Sequence, residues 1–315
     1  MRVDEEVASC LAEKMRSLDL KVSSFDDPRL YPPRNLDLEL QLNYFIFMCS
    51  IDHRTGAGFG GLVQGEWFRG SELLWRLGKA KLDEDPSFFT VDHMSRVSCD
   101  TVVSWLSVKE PRETVIKGPR LRTELLRDTA KWLARMFEGD PRRLIELSEE
   151  SCVRLIELLR PFKAFNDPVA KKAYLLVKFL ERRGLFKVRD EENLEVPVDN
   201  HLTRVALRLG LVEVNSPRAI GGRVGLGFDV KLRLTVRLGY KLVARRAGLR
   251  PTYLDDLLWS LGRELCLRKK PRCTASSTLL ALGGVEGCPF KECCRGFKDE
   301  NRRKLKEPVV NTWWY

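Results

Sequence analysis

Leu261 to Phe297 reads LGRELCLRKKPRCTASSTLLALGGVEGCPFKECCRGF, and its cysteines decide how the rest of the chain is read. Cys266 and Cys273 are separated by six residues, Cys273 and Cys288 by fourteen, and Cys288 and Cys294 by five, with Cys293 beside the last as a substitute. Five of the nine cysteines therefore fall within 29 residues, among lysines and arginines. Positive neighbours favour the thiolate, the form that binds metals. Four chemistries compete for these residues. Structural zinc sites usually arrive as two C-x2-4-C knuckles together, and this stretch has no such pair. Disulfides belong to oxidising compartments; the N-terminus shows no apolar signal segment, so an intracellular, reduced protein is expected, with hyperthermophile proteins as the exception. Ordinary buried cysteines would need no ligand. An iron–sulfur cluster on four thiolates is the favoured reading.

The chain has 315 residues and a formal net charge of +11, with 31% charged residues. It is long enough for a substantial core. The charge suits a polyanionic partner, most simply nucleic acid. An ion-rich surface is also what a thermophile carries, and the scarcity of glutamine (Gln41 and Gln64 only) fits a hot habitat.

LGRELCLRKKPRC resembles the start of the C-terminal loop of endonuclease III and the adenine glycosylase MutY, including the basic run and the proline before the second cysteine. CPFKECC resembles its end. That family's loop is C-x6-C-x2-C-x5-C; the middle spacing here is fourteen, which an insertion around STLLALGGVEG accounts for. The resemblance implies a [4Fe–4S] cluster on Cys266, Cys273, Cys288 and Cys294, the last fitting the family spacing better than Cys293. It also implies that Arg268, Lys269, Lys270 and Arg272 form a basic loop set against phosphates.

EVPVDNHLTRVALRLGLV, from Glu195 to Val212, resembles the V-D-T-H-x-x-R-V stretch of the same helix-hairpin-helix glycosylase superfamily, through Val198, Asp199, His201, Arg204 and Val205. The resemblance makes Asp199 the catalytic carboxylate. Breaking an N-glycosidic bond builds positive charge on the sugar, which a nearby carboxylate stabilises. Asp199 is equally suited to cap the helix that follows. AKKAYLL resembles the K-T-A-x-x-x-L start of the lyase helix, which puts Lys171 in the place of the amine nucleophile, 28 positions before Asp199. Such an amine must be deprotonated to attack C1′. A solvated lysine pair is the plainer reading. The family's glycine-rich L-P-G-V-G hairpin is replaced by RPFKAFNDPVAK, from Arg160 to Lys171, without a glycine.

A second resemblance is to the queuosine salvage nucleosidases, a related helical fold. WFRGSELLW, FNDPVAKKAYLL, VDNHLTR and DDLLW resemble their motifs in order, over roughly residues 40–265. It again implies Asp199 as the catalytic aspartate, and Asp255 as a substrate contact. These nucleosidases are not expected to hold a cluster.

Elsewhere, apolar spacing predicts helices over Val3–Leu20, Pro119–Phe137, Pro141–Leu159 and Val169–Arg183, the last capped by Asp167 with Pro168 as its first residue. Leu40–Ile51 is apolar enough to be a buried helix or a strand. A stretch with six glycines follows, from Asp52 to Leu77; it can line a pocket, with Trp67 and Phe68 as residues to stack on a base, and Ser71 can cap a helix within it. His53 is read as a structural hydrogen-bonder. FDVKLRLTVRLGYKLVARRAGL fits a strand by alternation and a helix by Leu232, Val236, Tyr240 and Val243; helix is chosen.

The expected protein is mainly α, with two interleaved helical subdomains of DNA-glycosylase type and a C-terminal iron–sulfur loop. Its regions are 1–160, 161–265, 266–297 and a tail over 298–315. It is expected to be an intracellular (cytoplasmic) monomer with no membrane partner, acting on double-stranded DNA.

Overall fold

A computed structural model describes residues 1–56, 58–215, 221–273, 278–279 and 285–315. The chain is mainly α-helical; its strands form only two-stranded pairings. Two compact units are present. A central unit holds Ser24–Asn193 with Trp314, and an end unit joins Met1–Ser23 to Leu194–Trp313 and Tyr315. The unit boundaries fall near residues 23 and 193.

In the central unit the apolar run is a helix, Leu38–Ile51, buried around its whole circumference from Gln41 onward. Asp37 caps it by accepting the amides of Glu39 and Leu40. The glycine-rich stretch is ordered as an antiparallel hairpin, Gly60–Val63 with Glu66–Arg69. Its turn runs through Gln64 and Gly65, both at positive φ (52° and 79°), the backbone of a tight two-residue hairpin turn. The helix Ser71–Glu84 follows, but Gly70, not Ser71, occupies the cap position. Pro119–Phe137 is helical as expected. The period over Pro141–Leu159 is divided into two helices, Pro141–Leu147 and Cys152–Leu158, because Glu149 and Glu150 take left-handed backbone between them. The helix expected from Val169 begins at Lys171 and ends at Arg182. Ala170 sits at its cap position with φ +49°, and the Asp167 carboxylate accepts the amides of Val169, Lys171 and Lys172. Asp167 thus satisfies the helix start from three residues outside it rather than as its first flanking residue.

The end unit packs the helices Glu5–Arg16, Asn200–Leu209, Leu226–Ala247 and Pro251–Ser260 around Leu202, Val205, Val236, Tyr240, Leu258 and Phe290. Leu232, Val236, Tyr240 and Val243 all face this core, whereas Leu238 is exposed, so the alternation of the Leu226–Ala247 segment is incidental. Pro251–Ser260 continues into a π-helical turn, Leu261–Leu265, which delivers Cys266. Most of the expected insertion STLLALGGVEG lies outside the described residues. Among the described residues no helix is long and apolar enough to cross a membrane.

One expectation is overturned here. The cysteines are not all reduced: Cys10 and Cys293 form a disulfide that ties the first helix to the cysteine-rich loop across 283 positions of sequence. Cys293 is therefore no substitute for Cys294. Denatured, metal-free protein should show seven reactive thiols without reductant and nine with it, counted with a chromogenic thiol reagent. Cys10→Ser should cost about 2–5 kcal/mol of stability in chemical denaturation, given the length of chain that the bond closes.

Candidate active site and cysteine cavity

Asp199 is the N-cap of the Asn200–Leu209 helix, and its Oδ1 accepts the Leu202 amide at 2.9 Å. The capping role and an open carboxylate coexist, since Oδ2 has no hydrogen-bond or ion-pair partner among the described residues. Two residues on, His201 is largely enclosed and its pKa is lowered, chiefly by burial and against the pull of Asp199. Its backbone fits because residue 262 is glycine: a Cβ there would come within 2.9 Å of the His201 Cβ.

The other end of the same helix is fastened to the cysteine loop. Buried Arg204 donates to the carbonyls of Cys266 (2.9 Å) and Gly262 (2.8 Å) and pairs with Glu307. One turn later, buried Arg208 donates to the carbonyls of Leu267 (2.7 Å), Arg268 (3.1 Å) and Leu305 (2.7 Å), and to the Cys266 sulfur at 3.4 Å. The loop comes so close to the helix end that a Cβ at residue 296 would meet the Arg208 carbonyl at 2.7 Å, so only glycine fits.

Cys266, Cys273, Cys288 and Cys294 line one cavity, together with apolar Val205, Leu209, Leu261 and Leu265 and the basic Arg208 and Arg303. It offers ≈ 30 Å³ to the centres of water-sized spheres, more than a single water requires on that measure. Among the described residues no three His, Cys, Asp or Glu side chains form a group fit for one metal ion. The Cys294 thiol donates to the Arg208 carbonyl at 3.6 Å. The expectation that nearby lysines ionise these thiols is corrected: burial dominates, pushing Cys288 up to about 12 and Cys294 up to about 11. Arg268, Lys269, Lys270 and Arg272 are exposed in the same loop, Arg268 being held by Glu307 at 2.8 Å. Asp255 is buried on the Pro251–Ser260 helix.

The remaining expected residues belong to the central unit. On the hairpin, neighbours alternate faces. Trp67 is 56% exposed, whereas Phe68 is 4% exposed and lies between the guanidinium groups of Arg29 and Arg76, each 5.9 Å from its ring centre. Phe68 is thus a core ring in this structure, not one open for stacking. Lys171 is mostly buried and its Nζ donates to the Asp52 carbonyl at 3.1 Å. Its neighbour Lys172, which sequence reasoning passed over, is fully buried; its Nζ donates to the Ser50 carbonyl at 2.7 Å and lies 3.1 Å from His53 Nδ1. Burial, then the adjacent Lys171, drives the Lys172 pKa well below the lysine range. Burial and then Lys172 likewise hold His53 well below its usual pKa, so the ring is neutral. Buried Arg122 donates to the His53 and Lys117 carbonyls and is pushed down to about 10 by burial. The FNDPVAKK stretch signalled this cluster; that both lysines turn inward was not readable from it.

Comparison with known proteins gives two findings. The family model of the queuosine salvage proteins matches residues 64–186, under half of the chain, and it is the model of the second resemblance drawn from sequence. Among solved structures, the chain is similar to the 8-oxoguanine DNA glycosylase of Pyrobaculum aerophilum, in complex with 8-oxoguanosine. Identity is 18%, with 82% of this chain and 89% of that chain covered, at a TM-score of 0.43. No curated protein matches the chain significantly.

His53 yields a prediction. Its imidazole is neutral in the fold but titrates near 6.5 when unfolded, so below that pH the unfolded chain binds more protons. The stability that this ring contributes is present above 6.5 and is lost progressively as pH falls. Thermal midpoints between about pH 7.5 and 5.5 should therefore drop. The slope should be shallower in His53→Asn, and an equal slope in the variant would show that the ring is not the group responsible.

Proposed function

We propose that this chain hydrolyses N-glycosidic bonds, as a DNA glycosylase of the helix-hairpin-helix class with a [4Fe–4S] cluster in its end unit. The observation that carries the reading is the Asn200–Leu209 helix. Its N-cap is the carboxylate expected to be catalytic, and its last turns hold the loop of the four cysteines expected to bind a cluster. Two motifs of the same resemblance thus meet on one helix of one unit.

The Asp199 carboxylate, with one oxygen tied to the Leu202 amide and the other open, is suited to face the positive charge that grows at C1′ as a base departs. The base leaves with the electron pair of the glycosidic bond, and water bonds to C1′ and loses a proton. The lyase role of Lys171, in the central unit, is a separate proposal: its amine must give up its proton before it can attack a sugar carbon. Cys266, Cys273, Cys288 and Cys294 would hold the cluster, which supplies a fixed, charge-dense crosslink to the loop. That loop presents Arg268, Lys269, Lys270 and Arg272 to solvent, a surface suited to a phosphate backbone. Exposed Trp67 is suited to stack on an unpaired base.

A second reading has its own support. The queuosine salvage match favours release of a base from a modified nucleoside, the same bond cleaved on a smaller substrate. Protein purified without oxygen should be assayed on duplexes carrying uracil, 8-oxoguanine or thymine glycol, and on free nucleosides including queuosine. Release from a duplex, reduced at least ~100-fold in Asp199→Asn, supports the glycosylase. Release from nucleosides only moves the chain to the salvage reading. No release from either, with salt-dependent duplex binding, leaves a nucleic-acid-binding protein. Cys266→Ser should lose most of the bound iron and of the visible absorption near 400 nm; full iron content in that variant would remove Cys266 from the ligand set. Borohydride trapping, absent in Lys171→Gln, tests the lyase step.

A further inference from the structure

Arg233 and Asp229 are both fully buried in the end unit and form an ion pair at 2.8 Å, one helical turn apart. Such a pair is weak evidence of stabilisation, because taking two charges out of water offsets most of their attraction. This pair is also incompletely satisfied: Asp229 Oδ1 is buried without a hydrogen-bond partner. An apolar pair would fill the same space, so the purpose of the charges lies in what else they touch. Arg233 Nη2 donates to Asn200 Oδ1 at 2.7 Å, and Nη1 lies 3.5 Å from both the Val198 carbonyl and the Thr203 hydroxyl. Val198 and Asn200 are the residues immediately before and after Asp199. The Tyr315 ring covers the guanidinium at 3.8 Å and is itself buried, which keeps water from competing for those bonds.

We infer that Arg233 is a positioning residue: clamped by Asp229 and roofed by Tyr315, it holds the Val198 carbonyl on one side of Asp199 and the Asn200 side chain on the other, and so fixes the direction of the Asp199 carboxylate. The inference rests on the proposed role of Asp199. A rigid guanidinium suits the task because its fork reaches Asp229, Asn200 and Val198 at once, which an ammonium group cannot. The carboxylate is then held for the departing base before substrate arrives, and small misplacements of such a group are expensive in rate.

Two measurements test this on the full chain. Amide hydrogen exchange, which needs no substrate, reads the Asp199 Oδ1 bond through the Leu202 amide. In Arg233→Met the Leu202 amide should exchange at least ~10-fold faster while that of Leu207, further along the helix, keeps its wild-type rate. Turnover on the substrate found active in the duplex and nucleoside assay should fall ~10–100-fold in kcat with KM within ~3-fold, and Arg233→Lys should recover part of the loss. Should Arg233→Met fail to fold, Asn200→Ala removes one grip and leaves the ion pair in place, and the same changes should appear in smaller measure. Unchanged Leu202 exchange, or wild-type kcat in folded variants, overturns the positioning role. Wild-type release by Asp199→Asn instead overturns the catalytic reading, and leaves the exchange result to stand or fall by itself.

Discussion

The end unit depends on two buried arginines on one face of the Asn200–Leu209 helix. Arg204 and Arg208 donate to carbonyls of Gly262, Cys266, Leu267, Arg268 and Leu305. Those carbonyls belong to a π-helical turn and to loop, segments with few repeating hydrogen bonds of their own, and each would be costly to bury unpaired. A guanidinium has five donors and no acceptor, so two of them can fasten an irregular chain to a regular helix. Glu307 offsets part of the charge by bridging Arg204 and Arg268. The Cys10–Cys293 bond adds a covalent tie to the first helix, so the cysteine loop is constrained before any metal contributes.

The central unit solves a different problem. Lys171, Lys172, Arg122 and His53 lie together near the end of the Leu38–Ile51 helix, and the Asp167 carboxylate accepts backbone amides at the start of the lysine helix. Carbonyls of Ser50, Asp52 and His53 serve as the acceptors instead. Neutral carbonyls compensate a buried cation less well than a carboxylate does, which is why burial moves Lys172 and Arg122 downward in pKa. Burying an amine that is easily deprotonated, as Lys172 is, is expensive in stability and useful for nucleophilic chemistry.

Much of this was legible in the letters. The period of Leu232, Val236, Tyr240 and Val243 separated core from surface where strict alternation pointed the other way. What could not be read has particular causes. Cys10 and Cys293 stand 283 positions apart, and nothing local pairs them. Trp67 and Phe68 carry the same aromatic signal, but a strand sends neighbours to opposite faces, and the choice of face belongs to the hairpin's packing. The start of the lysine helix was misplaced because Asp167 and Pro168 look like a standard cap and first turn, whereas the chain spends two further residues, ending in left-handed Ala170, before the helix begins. The thiols were expected to ionise because the sequence displays charge and hides burial.

The glycine-free hairpin bears on which substrate the fold was shaped for. Phosphate is gripped by backbone amides left free at a turn, a role that glycine makes easy. Here the Lys163 amide is taken by Asp128 at 2.6 Å, and those of Val169, Lys171 and Lys172 by Asp167. The amides from which a phosphate clamp would be built are thus committed to internal carboxylates. Any grip on a nucleic acid backbone must come from side chains, and the exposed basic run beside Cys273 is the segment of the end unit best supplied with them. A chain that cleaves a base from a free nucleoside needs no such grip, while one that works on DNA must have moved it from the hairpin to the cysteine loop. The loop's double attachment, through arginine and through sulfur, holds that basic run against the body of the end unit.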